Sequence, residues 1–353
     1  MNSKMKGFIG MIVLFSGTPC QTSGLNAYIG KKLCKNLYLV DIVCHGVPAP
    51  YLWRDYLSYL EKKQVKITNF DKIKLLGSPT VIYTQSANNK STLKIYGSDN
   101  VIDLVDCTVA DGVLSISFKN RTSIEFGKQG RLKIMASSPV LKDVHLQGSG
   151  DVVLDSKLEC DNLSLTLQGS GDITAGEVVC ANDLAVTLQG SGDISIKNSV
   201  KAGNAALNLI GSGDIDIYNM TAKSAAATLQ GSGDLKVKGG NVVGDVVISL
   251  LGAGDLNFAG IQGNNVRAEL NGSGDLKVTG TVQQAVLMLR NSGDLDAKDL
   301  KAVDVDATVN GSGDISCYVS GTLKCDISGS GDVGYKGNPV NVHSTGRNKP
   351  HKL

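Results

Sequence analysis

The sequence predicts an all-β protein for most of its length: a single-stranded parallel β-helix with coils of about 20 residues, preceded by a small α/β fragment. Three observations predict it. The first is a repeated phrase, Gly-Ser-Gly-Asp or a close variant, whose aspartates fall at Asp151, Asp172, Asp193, Asp214, Asp234, Asp255, Asp275, Asp294, Asp314 and Asp332. The steps between them are 21, 21, 21, 20, 21, 20, 19, 20 and 18 residues, a period that means one unit stacked on copies of itself. The second is strand-like alternation of apolar residues on both sides of each phrase. The third is an abrupt change of composition near Leu75.

Leu165 to Val186 illustrates one repeat. Leu165 and Leu167 alternate with polar residues before the Gly-Ser-Gly-Asp, and Ile173 resumes the pattern after it. No stretch has helical spacing of useful length, so each repeat reads as two or three short strands joined by tight turns. One such unit cannot bury its apolar face alone, whereas a stack shares a continuous core. Leu167, Leu188, Leu209, Leu229, Leu250, Leu270, Leu289, Val309 and Ile327 should form one inward stripe. Ile173, Ile194, Ile215, Leu235, Leu256, Leu276, Leu295, Ile315 and Val333 should form a second.

The glycines mark a corner, since they supply positive φ and allow close backbone approach. The aspartates beside them have two readings. One is structural: Asp and Ser bond nearby backbone N–H groups in Asx- and ST-turns. The other is a column of carboxylates holding Ca²⁺. Ca²⁺-binding β-rolls repeat at a nonapeptide period, and Ca²⁺ takes about six to eight oxygens. One Asp in each long coil does not meet that demand, so no metal is expected and the ten aspartates read as corner residues.

Pro79 to Val333 resembles the putative auto-transporter adhesin, head GIN domain family. The Leu-Gln-Gly-Ser-Gly-Asp run carries the likeness, together with the lead-in Val101 to Phe118 and the segment Lys133 to Leu141. The match spans about 255 residues. It implies a right-handed parallel β-helix in the cell envelope or outside the cell of a bacterium, an adhesive role, and no catalytic residues. Such proteins usually begin with an export signal; here something else precedes the coils.

Residues 1–75 hold 11 Lys and Arg against 4 Asp and Glu, while the rest of the chain holds 24 against 29. Nine of the 17 aromatic residues lie in that first segment. Such contrasts mark a domain border, with a junction over residues 76–80 at Gly77-Ser78-Pro79, the β-helix over 81–337 and a polar tail over 338–353. Met11 to Phe15 and Leu37 to Val43 read as strands. Thr22 to Tyr28 and Tyr51 to Glu61 read as helices, a β-α-β-α order that favours parallel pairing. Val13 to Gln21 and Val40 to Pro48 resemble a piece of the coenzyme-dependent hydrogenase/dehydrogenase β-subunit family, whose members use flavin and iron–sulfur clusters. Cys20, Cys44 and His45 are the chemical candidates that this likeness offers. The clustered Cys-x-x-Cys motifs and most of a flavin site are missing, so the fragment is expected to be an inactive remnant without cofactor.

Lys4, Lys6 and the apolar run Phe8 to Phe15 imitate a signal peptide, but Pro19 would follow the cut and also spoils a lipoprotein site at Cys20. A cytoplasmic location is therefore the alternative to the envelope. No apolar run approaches the ~20 residues of a membrane span. Cys160 and Cys180 occupy equivalent places on adjacent coils, either as a disulfide or as a buried pair of small apolar side chains. Cys317 and Cys325 fall within one coil. The slightly acidic long region and the absence of a recognisable motif argue against nucleic acid. The leading expectation is a non-enzymatic scaffold whose uniform surface meets a polysaccharide or a protein, with oligomerisation left open. A carbohydrate-active enzyme would need paired carboxylates in a cleft, whereas these aspartates are regular and aromatic platforms are few, with Tyr218, Phe258 and Tyr318 scattered.

Overall fold

A computed structural model of the chain describes residues 13–17, 37–41, 61–97, 99–119 and 132–353. The chain divides into two compact units, Met1–Leu60 and Glu61–Leu353. In the first, Val13–Gly17 and Leu37–Asp41 form a parallel pair, with Val13 beside Leu37 and Gly17 beside Asp41. This is the pairing that the β-α-β-α order predicts. Cys20, Cys44, His45 and the expected helix from Thr22 to Tyr28 lie outside the described residues. So does the second expected helix up to residue 60. Glu61, read as the end of that helix, instead opens the strand Glu61–Val65.

The second unit is a parallel β-solenoid of about 10 turns. Each turn carries a long strand before the corner, such as Leu163–Gly169, Asp183–Gly190 or Asn204–Gly211. A second run, such as Ile173–Cys180, follows it. Alternation decides which residues face inward. Leu167 pairs with Leu188, Leu188 with Leu209, and so on through to Ile327. All nine members of that stripe, and all nine of the Ile173-to-Val333 stripe, are at most 1% exposed. Each buried aliphatic side chain contributes about 2 kcal/mol. That gain is realised only when a neighbouring coil covers it, which makes the coils mutually dependent.

Coil length varies, and the third side of the solenoid absorbs the variation. Pairing slips between Ala175 and Glu177, Phe258 and Ile261, Lys277 and Thr279, and Ala297 and Lys301. Each slip follows the short segment after the corner. The corner and the strand leading into it keep constant register throughout.

The border expected near Leu75 falls inside this unit. Lys72–Leu76 pairs in parallel with Asp143–Gly148, setting Leu75 beside Leu146. Thr80–Gln85 pairs with Asp151–Leu154. Gly77-Ser78-Pro79, read as a junction, is the first corner. The Gly77 carbonyl accepts the N–H groups of Ser149 and Gly150 at 3.2 and 2.9 Å, as the Gly148 carbonyl accepts those of Ser170 and Gly171. The phrase escapes notice because Thr80, not aspartate, stands at the register of Asp151.

An inserted stretch separates the first coil from the second. Within it, Thr92–Gly97 runs antiparallel to both Glu61–Val65 and Lys133–Ser138. Val105–Ala110 and Val113–Phe118 form a hairpin over Asp111 and Gly112, both with positive φ (50° and 75°). Val113–Phe118 and Lys133–Ser138 pair in parallel with Lys72–Leu76 and Thr80–Gln85, and the antiparallel strands Thr92–Gly97 and Val105–Ala110 cover the edge of the stack. At the other end the polar tail continues the solenoid instead of fraying. Asn341–Gly346 pairs with Thr322–Ile327, and His351–Lys352 pairs with Gly334 and Tyr335. All six residues of Asn341–Gly346 are exposed, the polar outer face that a terminal coil needs.

Candidate functional surface

The corner is built from two glycine columns. The first runs through Gly148, Gly169, Gly190, Gly211, Gly231 and Gly252 at φ between 137° and 148°. The second runs through Gly150, Gly171, Gly192 and their successors. A β-carbon on Gly192 would collide with the carbonyl oxygen of Gly171, and every later member of this column meets its predecessor in the same way. Asn291 takes a first-column place at φ 81°, a conformation that asparagine tolerates better than most residues. Its Nδ2 donates to Oδ1 of Asn271 at 2.7 Å.

The ten aspartates stand beside these columns and connect coils. The N–H of Asp172 donates to Oδ1 of Asp151 at 3.3 Å, and that of Asp193 to Asp172 at 3.0 Å. The pattern continues through Asp214, Asp234, Asp255, Asp275, Asp294 and Asp314 to Asp332, whose N–H lies 2.8 Å from Oδ1 of Asp314. Asn348 ends the ladder, its Nδ2 donating to Oδ1 of Asp332 at 3.1 Å. The side chain–backbone bonding expected of these residues thus runs between coils, not within one. Asp234 is further engaged by Lys236 Nζ, 2.7 Å from its Oδ2. That bond, with the N–H of Asp255, holds the Asp234 carboxyl below its ordinary value and raises the Lys236 ammonium.

Among the described residues, no group of three or more His, Cys, Asp and Glu is placed to hold a metal ion. The aspartates do border a shallow groove of about 470 Å³, where Asp255, Asp275, Asp294 and Asp314 meet Lys277 and Lys298. Lys298 Nζ is held by Asp296 at 2.8 Å, so the charges lining the groove are mixed.

The face leading into the corner is different. Its three outward rows nearest the corner, over five consecutive coils, are Ser164, Thr166, Gln168; Ala185, Thr187, Gln189; Ala206, Asn208, Ile210; Ala226, Thr228, Gln230; and Val247, Ser249, Leu251. Parallel register aligns them in rows. None is ionisable. Four strand intervals of ~4.8 Å make this patch about 20 Å long. Gln168 Nε2 donates to Gln189 Oε1 at 3.0 Å along one row, and Ile210, Val247 and Leu251 are 37%, 49% and 38% exposed. Charge returns on either side, with Asp143 before the patch and Arg267 and Glu269 after it. The signal lay in the residues between the inward leucines of each repeat.

Cys160 and Cys180 are register partners on adjacent coils, with sulfurs 3.5 Å apart. Cys317 and Cys325 are buried, and burial pushes both thiols up to about 12. No helix among the described residues is long and apolar enough to cross a membrane.

Stacked coils of near-constant length, cornered by glycine columns and an aspartate ladder, define a β-solenoid repeat protein that meets its surroundings through long, regular faces. The chain belongs to the family described as "Putative auto-transporter adhesin, head GIN domain", which it matches over residues 69–244 and 242–339. Among solved structures it is similar to a "putative adhesin" from Bacteroides fragilis, at 23% identity and a TM-score of 0.29, covering 83% of this chain and 95% of that one. A "putative lipid binding protein" from Parabacteroides distasonis shows 24% identity and a TM-score of 0.33, covering 83% and 96%. A "putative adhesin" from Parabacteroides merdae shows 19% identity and a TM-score of 0.35, also covering 83% and 96%. None of the curated proteins matches the chain. The family match begins at residue 69, and the hydrogenase likeness of the first segment has no support among the comparisons.

Proposed function

We propose that this protein is a non-enzymatic scaffold of the bacterial cell envelope that holds a surface ligand against the uncharged face of residues 163–252. One observation carries this reading: on five successive coils the three outward rows nearest the corner present only small, hydroxyl, amide and aliphatic side chains, in register, bordered by charged positions. Docking a broad flat partner on such a face strips water from no ionised group, the step that makes charged contact surfaces costly. The partner it suits is a neutral extended polymer with hydroxyl and amide groups, a polysaccharide before a protein. Membership in the adhesin family supports the envelope placement.

The test is sedimentation of the full chain with insoluble neutral polysaccharides. Thr187→Lys with Thr228→Lys should lower the bound fraction at least tenfold without changing the melting temperature. Lys236→Met, on the other side of the corner, should leave binding unchanged. Equal binding by wild type and the double lysine variant would remove the face from consideration. The aspartate-lined groove favours a second reading, a carbohydrate-active protein; release of reducing ends from a polysaccharide would establish it. A third reading, an oxidoreductase remnant ahead of the solenoid, has no support among the comparisons. It requires flavin or cluster absorbance in the purified protein.

A further inference from the structure

The Cys160–Cys180 contact lies on a short rung of the solenoid ladder. Leu158–Cys160 is a strand of only three residues, and it pairs with Val178, Val179 and Cys180 just beyond the slip between Ala175 and Glu177. Register partners on neighbouring strands lie ~4.8 Å apart, inside the Cα span of roughly 4.4–6.8 Å that a disulfide bridges. Both thiols are unbridged, and their sulfurs are 3.5 Å apart. Bringing them to bonding distance needs side-chain rotation but no change of register.

The two thiols are not equivalent. Cys180 is 3% exposed, whereas Cys160 is half-buried and open to a reagent in solution. We propose that Cys160 and Cys180 are an oxidisable pair that closes into an inter-coil disulfide, with Cys160 as the entry thiol and Cys180 as the resolving thiol. The hydrogen bond between them favours the same order: it lowers the Cys160 thiol, while that bond and burial push Cys180 up. The oxidant is a disulfide of the glutathione class. The Cys160 thiolate attacks one of its sulfurs, and the departing thiolate takes up a proton. The Cys180 thiol then gives up its proton and attacks Cys160 Sγ, expelling the second thiol. Two protein thiols are oxidised and one disulfide is reduced to two thiols. The bond would staple a three-residue strand of the stack to its neighbour, independently of any ligand on the uncharged face.

The experiment uses the full chain, purified under reductant, transferred to glutathione disulfide and digested without reduction. The expected result is a linked peptide pair containing Cys160 and Cys180, lighter than the two reduced peptides by two hydrogens and separated again by reductant. Cys180→Ser should accumulate a stable glutathione adduct on Cys160, because the resolving thiol is gone. Cys160→Ser should leave Cys180 unmodified in the native protein. Recovery of both cysteines as free thiols, or of a persistent adduct on wild-type Cys160 without linkage, would overturn the proposal. So would an adduct forming first on Cys180.

Discussion

The backbone N–H of Asp214 donates to Oδ1 of Asp193 at 2.9 Å, and Oδ1 of Asp214 in turn accepts the N–H of Asp234 at 2.9 Å. Each aspartate is donor and acceptor in one chain of bonds along the stack. What the position requires is an sp² oxygen at Oδ1, and the negative charge is incidental to it. Asp193→Asn keeps that oxygen and removes one of a column of like charges, so its melting temperature should equal or exceed the wild type's. Asp193→Ala leaves the Asp214 N–H without its partner and should cost about 1 kcal/mol, a fall of about 2 °C for a unit of this size. If asparagine is as damaging as alanine, the charge itself matters and the ladder account fails.

The same corner predicts a contrast between two glycines. A β-carbon at Gly192 would strike the carbonyl oxygen of Gly171, backbone against backbone, with no side chain to yield. A β-carbon at Gly176 would meet only Nδ2 of Asn198, at 3.7 Å. Gly192→Ala should therefore push adjacent coils away from each other and cost about 3 kcal/mol or more, among the larger effects of single substitutions. Gly176→Ala should be neutral or slightly stabilising, because it restricts the unfolded chain. Chemical denaturation of both variants measures the difference.

Asp234 and Lys236 predict a pH dependence. The Asp234 carboxyl is held below its unfolded value of 3.8 by the Lys236 ammonium and the Asp255 N–H. A depressed carboxyl contributes stability above its unfolded value and loses it as pH falls through the folded value. Lys236 is raised above 10.5 by Asp234, so its contribution is complete below that pH and disappears as pH rises through the raised value. The melting-temperature gap between wild type and Lys236→Met should thus be level from about pH 5 to pH 9. It should narrow below about pH 4 and again at the alkaline end. A gap independent of pH would mean that the two side chains act through packing alone.

The repeat made the long solenoid legible because stripes such as Leu188, Leu209 and Leu229 are both periodic and apolar, and period and burial express one physical requirement. Three features escaped for identifiable reasons. Gly77-Ser78-Pro79 lacks the aspartate of later corners and has the composition of a linker, although its carbonyl serves as the others do. The strand Asn341–Gly346 is mostly polar and exposed along its length, and polarity at a chain end reads as a loose tail. The uncharged face is formed by residues such as Thr187 and Thr228, which carry no chemistry singly and gain meaning only when parallel register places them side by side. The aspartates bond from coil to coil, which one sequence position per coil cannot reveal.

Cys317 and Cys325 predict a null result that separates them from the pair at Cys160. Both are buried, and burial pushes each thiol up to about 12, far above the pH of ordinary alkylation. In native protein at about pH 8 their thiolate fraction is negligible and their sulfurs are covered. Iodoacetamide should label Cys160 in the folded protein and should reach Cys317 and Cys325 only after denaturation. Mass spectrometry of peptides labelled before and after unfolding reads this directly. Rapid native labelling at Cys317 would show that the last coils open at low cost.

The position of the first corner predicts where the chain can be shortened. Phe70, Ile73 and Leu75 are at most 3% exposed and belong to the same core as Leu114, Ile116 and Leu146. Leu75 lies directly between Leu146 and Ile116 in the parallel ladder. A chain starting at Glu61 keeps these contacts and also the strand Glu61–Val65 that pairs with Thr92–Gly97. A chain starting at Pro79, near the border that composition alone suggests, loses three core side chains worth about 2 kcal/mol each. It also leaves two strands without the partner that joined them. That loss is comparable with the ~5–15 kcal/mol that holds a whole domain folded. The longer chain should give a monodisperse β-rich protein with a cooperative melt. The shorter one should aggregate or melt well below it. Equal stability of the two would mean that the solenoid begins at the second coil and that the strand Lys72–Leu76 merely leans on it.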